Sequence, residues 1–220
     1  VIRPFGEGAL LVELEIAAAA QALGASLREK PIRGIAASVP GLSTVLVELA
    51  PPFVDVEAVS RELAERVKGL DAAVVRGRHR SIPVVYGGEH GPDLAGVAEL
   101  CGLTPDEVIA RHAGTELRVL FGGFAPGFAY LGDLPSELHV PRLSTPRTRT
   151  PVGSVAVAGS MSGIYPAALP GGWRIIGRTP LTLFDPRRDP PAYLVGGDTV
   201  SFEPMPANAW PATPSLPDDW

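Results

Sequence analysis

Residues 152–163 read Val-Gly-Ser-Val-Ala-Val-Ala-Gly-Ser-Met-Ser-Gly. The run Val155–Ala158 is β-prone, but glycines bound it closely on both sides, so it predicts a short strand between turns. The same texture continues outward, in Leu117–Phe121, Trp173–Gly177, Thr182–Phe184, Tyr193–Val195 and Thr199–Phe202. Short strands punctuated by Gly and Pro predict an all-β barrel or sandwich. Upstream, Ile82–Tyr86 adds a strand ending at Gly87-Gly88. Two helices follow: one over Asp93–Cys101, carrying Leu94, Val97 and Leu100, and one that Thr104-Pro105-Asp106-Glu107 opens and that runs to about His112. An N-cap hydroxyl, Pro at the first helical position and an acidic first turn make the second start well marked.

Proline separates this region from what precedes it. Residues 1–80 hold 5 Pro and residues 81–220 hold 19. The first part predicts a strand at Ala9–Leu14, a helix over 17–30 and strands at Ile35–Val39 and Thr44–Leu49, split by the turn dipeptide Pro40-Gly41. Asp55 then caps a helix with Val56, Val59, Leu63 and Val67 at helical spacing, and Ala72–Val75 could add a strand. The expected organisation is a small α+β amino-terminal domain over 1–80, a mainly-β domain with two inserted helices over 81–203, and a Pro-rich tail over 204–220.

Composition narrows the function. The chain has 220 residues, 45% of them hydrophobic, with 25 Gly and 24 Pro, so apolar material for a core is ample despite the punctuation. A net charge of −5 lacks the basic field of a nucleic-acid binder. No apolar run approaches the length of a membrane span and no secretory leader opens the sequence, so a cytoplasmic location is expected. Cys101 is the only cysteine, which rules out a disulfide within the chain. The basic residues are 17 Arg against 2 Lys, Lys30 and Lys68. No Gly-Lys pair exists for a phosphate-cradling P-loop, and no Met-Lys-Met exists for biotin attachment. The histidines, His79, His90, His112 and His139, lie in no metal-ligating spacing, so no metal is expected.

Three stretches can carry chemistry. Residues 121–132, Phe-Gly-Gly-Phe-Ala-Pro-Gly-Phe-Ala-Tyr-Leu-Gly, mix aromatic walls with glycines that permit close backbone approach; they either line a pocket or cross tightly beneath a barrel. In residues 141–151, Pro141, Pro146 and Pro151 recur every five residues, with Arg142 and Arg147 in register. Proline stiffens such a segment, and its guanidiniums either grip an anion or pair with acidic neighbours at the surface. Residues 159–180 gather Ser160, Ser162, Tyr165, Arg178 and Thr179 among glycines, as a polar pocket floor or as a turn-rich hairpin capped by Trp173. His112, at a helix end, can carry protons or simply face the helix dipole.

Several strings together resemble a known family. They are Gly123-Phe124-x-Pro126-Gly127-Phe128-x-Tyr130-Leu131-Gly132, Pro141-Arg142-x-x-x-Pro146-Arg147-x-x-x-Pro151-x-Gly153-Ser154-Val155 and Gly163-Ile164-Tyr165-Pro166. Pro170-Gly171-Gly172-Trp173, Ile176-Gly177-Arg178-Thr179 and Phe184-Asp185-Pro186 continue the match, and weaker strings near the amino terminus extend it. The chain resembles the KipI/PxpB family, whose members are called KipI, allophanate hydrolase subunit 1 or the 5-oxoprolinase B-type component, with carboxyltransferase subdomains C and D.

The resemblance implies a cyclophilin-like β-barrel after the amino-terminal domain. It implies a KipA/PxpC-type partner and a third, LamB/YcsF-type subunit, which together open 5-oxo-L-proline to L-glutamate at the expense of ATP. A lactam is resonance-stabilised, so its carbonyl needs activation, and ATP enters at the level of the complex. On this reading Arg147, His112 and Tyr165 are catalytic candidates, His112 as proton carrier; Pro126, Gly127, Phe128, Arg142, Ser160, Arg178 and Thr179 bind substrate. The alternative within the family is a KipI-type regulator that inhibits a sensor histidine kinase. One departure bears on specificity: Ser160-Met161-Ser162 stands where the family favours a Gln-containing triplet.

Overall fold

The computed structural model describes residues 1–50, 52, 54–71, 77–217 and 220; the strand expected at Ala72–Val75 lies outside them. The chain divides into two compact units, Val1–Arg76 and Gly77–Trp220.

In the first unit, β1 (Ile2–Pro4), β2 (Ala9–Glu13), α1 (Ala17–Glu29), β3 (Ile35–Pro40), β4 (Thr44–Leu49) and α2 (Val56–Lys68) follow in order. The strands form one antiparallel sheet in the order β1-β2-β4-β3. Side chains alternate across a strand, so Leu10, Val12, Val45 and Val47 point to one face, where they meet Leu23, Leu27, Val59 and Leu63 of the two helices. Asp55 caps α2 as its position suggested, its carboxylate accepting from the Ala58 amide at 2.9 Å.

The second unit contains β5 (His79–Tyr86), α3 (Leu94–Cys101), α4 (Pro105–Ala113), β6 (Leu117–Gly122), β7 (Ala129–Gly132), β8 (Arg147–Thr150), β9 (Ser154–Ala158), β10 (Met161–Ile164), β11 (Leu169–Gly171), β12 (Arg174–Arg178) and β13 (Thr199–Pro204). Seven of these close a barrel in the order β10-β7-β6-β13-β5-β12-β9. Its β5–β13 pair is parallel and the others antiparallel. The architecture is thus an α/β amino-terminal unit followed by a mixed seven-stranded barrel of the cyclophilin-like kind. Ile82, Val84, Leu117, Val119, Leu131, Val155, Val157, Ile164, Ile176, Val200 and Phe202 fill the interior, joined by Leu94 and Val97 of α3 and Val108 of α4. The start of α4 is a full capping box: Thr104 Oγ1 accepts from the Glu107 amide, and the Glu107 carboxylate accepts from the Thr104 amide at 2.8 Å.

Two expected strands are absent as ladders. Thr182–Phe184 yields only the isolated bridge of Phe184 to Ala192, next to that of Leu181 to Ser215, and Tyr193–Val195 yields none. Pro186, Pro190 and Pro191 lie between them, and residues without an amide hydrogen cannot extend a ladder. Conversely, β7 and β10 run through stretches whose glycines and aromatics read as irregular. The carboxyl-terminal segment packs on its own unit: Trp210 stacks on His90 at 4.4 Å between ring centres, and Trp220 Nε1 donates to the Pro190 carbonyl at 2.9 Å. Among the described residues no helix is long and apolar enough to cross a membrane, and no three metal-ligating side chains converge.

Candidate functional site

Every residue of β9 is buried, although a barrel strand shows only alternate residues to the interior. Val155 and Val157 belong to the interior, whereas Ala156 and Ala158 lie under a second cluster with Phe128, Tyr165, Trp173 and Ile175. That cluster is an aromatic shelf on the opposite face of the β7-β10-β9-β12 stretch of sheet. Phe128 sits at its centre, with ring centres 5.3 Å from Tyr165, 5.8 Å from Trp173 and 4.9 Å from Tyr130, all at steep angles. Edge-to-face contacts of this kind suit the ring quadrupole and hold the walls rigid.

Glycines make the shelf fit. A Cβ at Gly163 of β10 would stand 2.9 Å from Phe128 Cζ and 3.2 Å from Trp173 Cζ3, and one at Gly171 would collide with the Tyr165 phenol. Gly127 adopts a φ of 81°, which turns the chain so that Phe128 enters the cluster, and a Cβ there would strike Phe184. Phe124 sits above Phe128 and Tyr165 at 5.4 and 6.3 Å, 60% exposed, with a φ of 66° that a bulky residue rarely adopts.

Two guanidiniums flank these rings. Arg142, exposed, lies 5.9 Å from the Trp173 ring centre. Arg147, on β8, is half-buried and donates through Nη2 to Asp93 Oδ1 at 2.6 Å. The other oxygen of Asp93 accepts from the Ile175 amide at 2.7 Å. Burial pushes the Tyr165 phenol above its ordinary pKa, opposed by a hydrogen bond from the Trp173 amide and by the positive charges of Arg142 and Arg147.

The structure thus brings Arg142, Arg147, Tyr165 and Phe128 to one shelf, with Gly127 turning the chain into it and Pro126 exposed next to it. Ser160 is exposed in the β9–β10 turn, next to Met161, which packs on the shelf. The remaining candidates lie apart. Arg178 donates to the Val152 carbonyl at 2.6 Å and stacks over Trp210, engaged away from the shelf. Thr179 is buried, and its hydroxyl accepts from the Leu181 amide within a local turn.

His112, the candidate proton carrier, is wholly buried in the barrel core against Phe202. A hydrogen-bond chain runs through it. The Tyr86 hydroxyl donates to Nδ1 at 2.8 Å, Nε2–H donates to Ser162 Oγ at 2.9 Å, and Ser162 donates to the Ala156 carbonyl at 3.2 Å. Burial lowers the His112 pKa to about 3, which keeps the ring neutral. Its visible function is to tie α4 to the β9–β10 pair beneath the shelf.

The sequence reading passed over Asp93 and Phe124 as site residues and treated Trp173 as a hairpin cap. Asp93 stands 54 residues before Arg147, so no local spacing could pair them. Trp173 carried a usable signal, since the preceding Gly171-Gly172 leaves room for aromatic rings.

The family described as carboxyltransferase domain, subdomain C and D, matches residues 1–194. The chain is 42% identical over 208 residues to the 5-oxoprolinase B-type component of Escherichia coli O157:H7, covering 91% of this chain and 94% of that protein. It is 37% identical over 221 residues to the corresponding 5-oxoprolinase component of Bacillus subtilis strain 168, covering 91% of each. Among solved structures, TTHA0988 superposes with a TM-score of 0.79 at 33% identity, over 99% of this chain and 42% of that one. The chain therefore belongs to the family of carboxyltransferase domains, subdomain C and D.

Proposed function

We propose that this chain is the B-type component of an ATP-dependent 5-oxoprolinase, which opens 5-oxo-L-proline to L-glutamate. The observation that carries the reading is identity of 42% and 37%, over about nine-tenths of both partners, to 5-oxoprolinase components of that type in two different bacteria. The shelf supports it chemically, because rigid aromatic walls beside guanidiniums suit a small planar ring that carries a carboxylate.

The lactam carbonyl resists water because its nitrogen lone pair is delocalised into it. Transfer of a phosphoryl group from ATP to the carbonyl oxygen activates the carbon. Water adds to it, the ring C–N bond breaks with the nitrogen taking the electron pair and a proton, and the acyl phosphate so formed is hydrolysed to glutamate and phosphate. ATP enters at the level of the complex, and the sequence holds no P-loop lysine. The working unit includes a KipA/PxpC-type subunit and a LamB/YcsF-type subunit. Within this chain, Arg142, Arg147, Tyr165 and Phe128 form the substrate-facing group, and Ser160 lies at its edge.

The test is to co-purify the chain with its partner subunits and follow glutamate release from 5-oxo-L-proline. Release that requires ATP is the expected result. A fully assembled complex that releases no glutamate refutes the proposal.

A further inference from the structure

Asp93 occupies the N-cap of α3, where an aspartate ordinarily accepts from the first free amides of the helix, yet its side chain makes no capping bond. Both carboxylate oxygens are committed elsewhere, one to Arg147 Nη2 and one to the Ile175 amide of β12. The helix forgoes its cap, and the guanidinium is held instead. The held group is itself incomplete: Arg147 Nη1 is buried and has no hydrogen-bond partner among the described residues. A buried donor on a charged group is costly to leave unmade, and an oxygen from water or a ligand completes it.

We infer that Arg147 Nη1 and Arg142 form an oxyanion clamp at the edge of the aromatic shelf, with Asp93 as the residue that positions Arg147. Geometry supports this at three points. Arg147 is fixed by a bond of 2.6 Å from a carboxylate that is itself anchored to the strand leading from Trp173. Arg142 is exposed and lies over the Trp173 ring, so its hydrogen-bonding edge is open to a ligand. Arg147 pairs in register with Gly171, against which the Tyr165 phenol packs, and Arg142 lies over Trp173 of the same cluster, which puts both cations beside one shelf. Two guanidiniums with one neutralising carboxylate leave a net positive charge there. The ligand is thus a small oxyanion-bearing molecule whose planar part rests against the rings. The oxyanion can be the carboxylate of the lactam or a phosphoryl group, which share this chemistry. Asp93 does not touch the ligand; its effect is transmitted through the orientation of Arg147.

The inference rests on the proposed function for the identity of the ring, but its test does not require turnover. Equilibrium binding to the assembled complex, without ATP, is measured with three probes: 5-oxo-L-proline, 2-pyrrolidinone (the same ring without the carboxylate) and inorganic phosphate. The wild-type complex is expected to bind 5-oxo-L-proline or phosphate at least tenfold more tightly than the Arg147→Ala complex, with 2-pyrrolidinone bound weakly and equally by both. Arg-dependent binding of 5-oxo-L-proline alone identifies the carboxylate as the clamped group, and Arg-dependent binding of phosphate alone identifies a phosphoryl group. Equal binding of both oxyanions by wild type and variant, or no binding of either, overturns the clamp whatever the complex catalyses. Arg-dependent binding without any glutamate formation would instead remove the proposed function and leave the clamp standing. For Asp93→Asn, the amide can still accept from Ile175 but loses its charge toward Arg147. In the same binding assay its affinity for the Arg-dependent oxyanion is expected to fall several-fold while 2-pyrrolidinone binds as it does to wild type; unchanged oxyanion affinity, or an equal loss for 2-pyrrolidinone, refutes the positioning assignment.

Discussion

Acidification should destabilise the barrel through one residue, His112. The ring is fully buried, and its contacts are the Tyr86 hydroxyl, the Ser162 hydroxyl and the Phe202 ring, none of them charged at neutral pH. Its pKa falls from 6.5 to about 3 on folding, with burial as the cause. The unfolded chain therefore takes up a proton on this residue first. Stability from this group is complete above pH 6.5, declines as pH drops through 6.5, and levels off near pH 3, where the folded ring is protonated too. Linkage puts the loss between pH 7 and pH 5 at about 2 kcal/mol, with a limiting value of roughly 5 kcal/mol at lower pH. All three tryptophans, Trp173, Trp210 and Trp220, lie in the barrel unit, so urea unfolding followed by tryptophan fluorescence reports on this unit. His112→Asn removes the titrating group and part of the hydrogen-bond chain, at a cost of about 2–4 kcal/mol at pH 7. The stability gap between wild type and variant should then narrow by about 2 kcal/mol at pH 5. A gap that stays constant from pH 7 to pH 5 refutes the assignment of His112 as a buried neutral group.

Other substitutions test the shelf and its supports. Gly163→Ala places a methyl group between Phe128 and Trp173 and should lower unfolding free energy by about 1–3 kcal/mol, seen in the same urea assay; no loss means the rings can move aside. Thr104→Ala breaks the capping box of α4 and should cost about 1 kcal/mol, read as a lower melting temperature by circular dichroism. Trp210→Ala removes the stack on His90 and the contact with Arg178, and should destabilise the barrel by about 1–3 kcal/mol without disturbing the amino-terminal unit.

What the sequence made readable were features that act locally. Asp55 and Thr104 announce their helices because a cap bonds amides only two or three residues away. Val155–Ala158 announces a strand because its side chains are β-prone and glycines close it. The strands β7 and β10 stayed hidden because their glycines answer to something distant: Gly163 is small because rings from Phe128 and Trp173 press on it. The site divides in the same way. Arg142 and Arg147 stood out through the proline register, and Tyr165 and Phe128 through their motifs, and all four meet at the shelf. His112 stood out because histidine titrates near neutrality, whereas its burial, which lowers its pKa, depends on strands far along the chain. Arg178 and Thr179 share a motif, yet Arg178 is engaged by the Val152 carbonyl and Trp210, and Thr179 by the Leu181 amide. Asp93 was beyond reach because its partners come from β8 and β12, far along the chain.

The most direct test of the account is to assemble the partner subunits with and without this chain and measure glutamate formed from 5-oxo-L-proline in the presence of ATP. Glutamate should appear only when the chain is present, and should fall at least tenfold when the chain carries Arg147→Ala in a complex that still assembles. Undiminished turnover without the chain would contradict it.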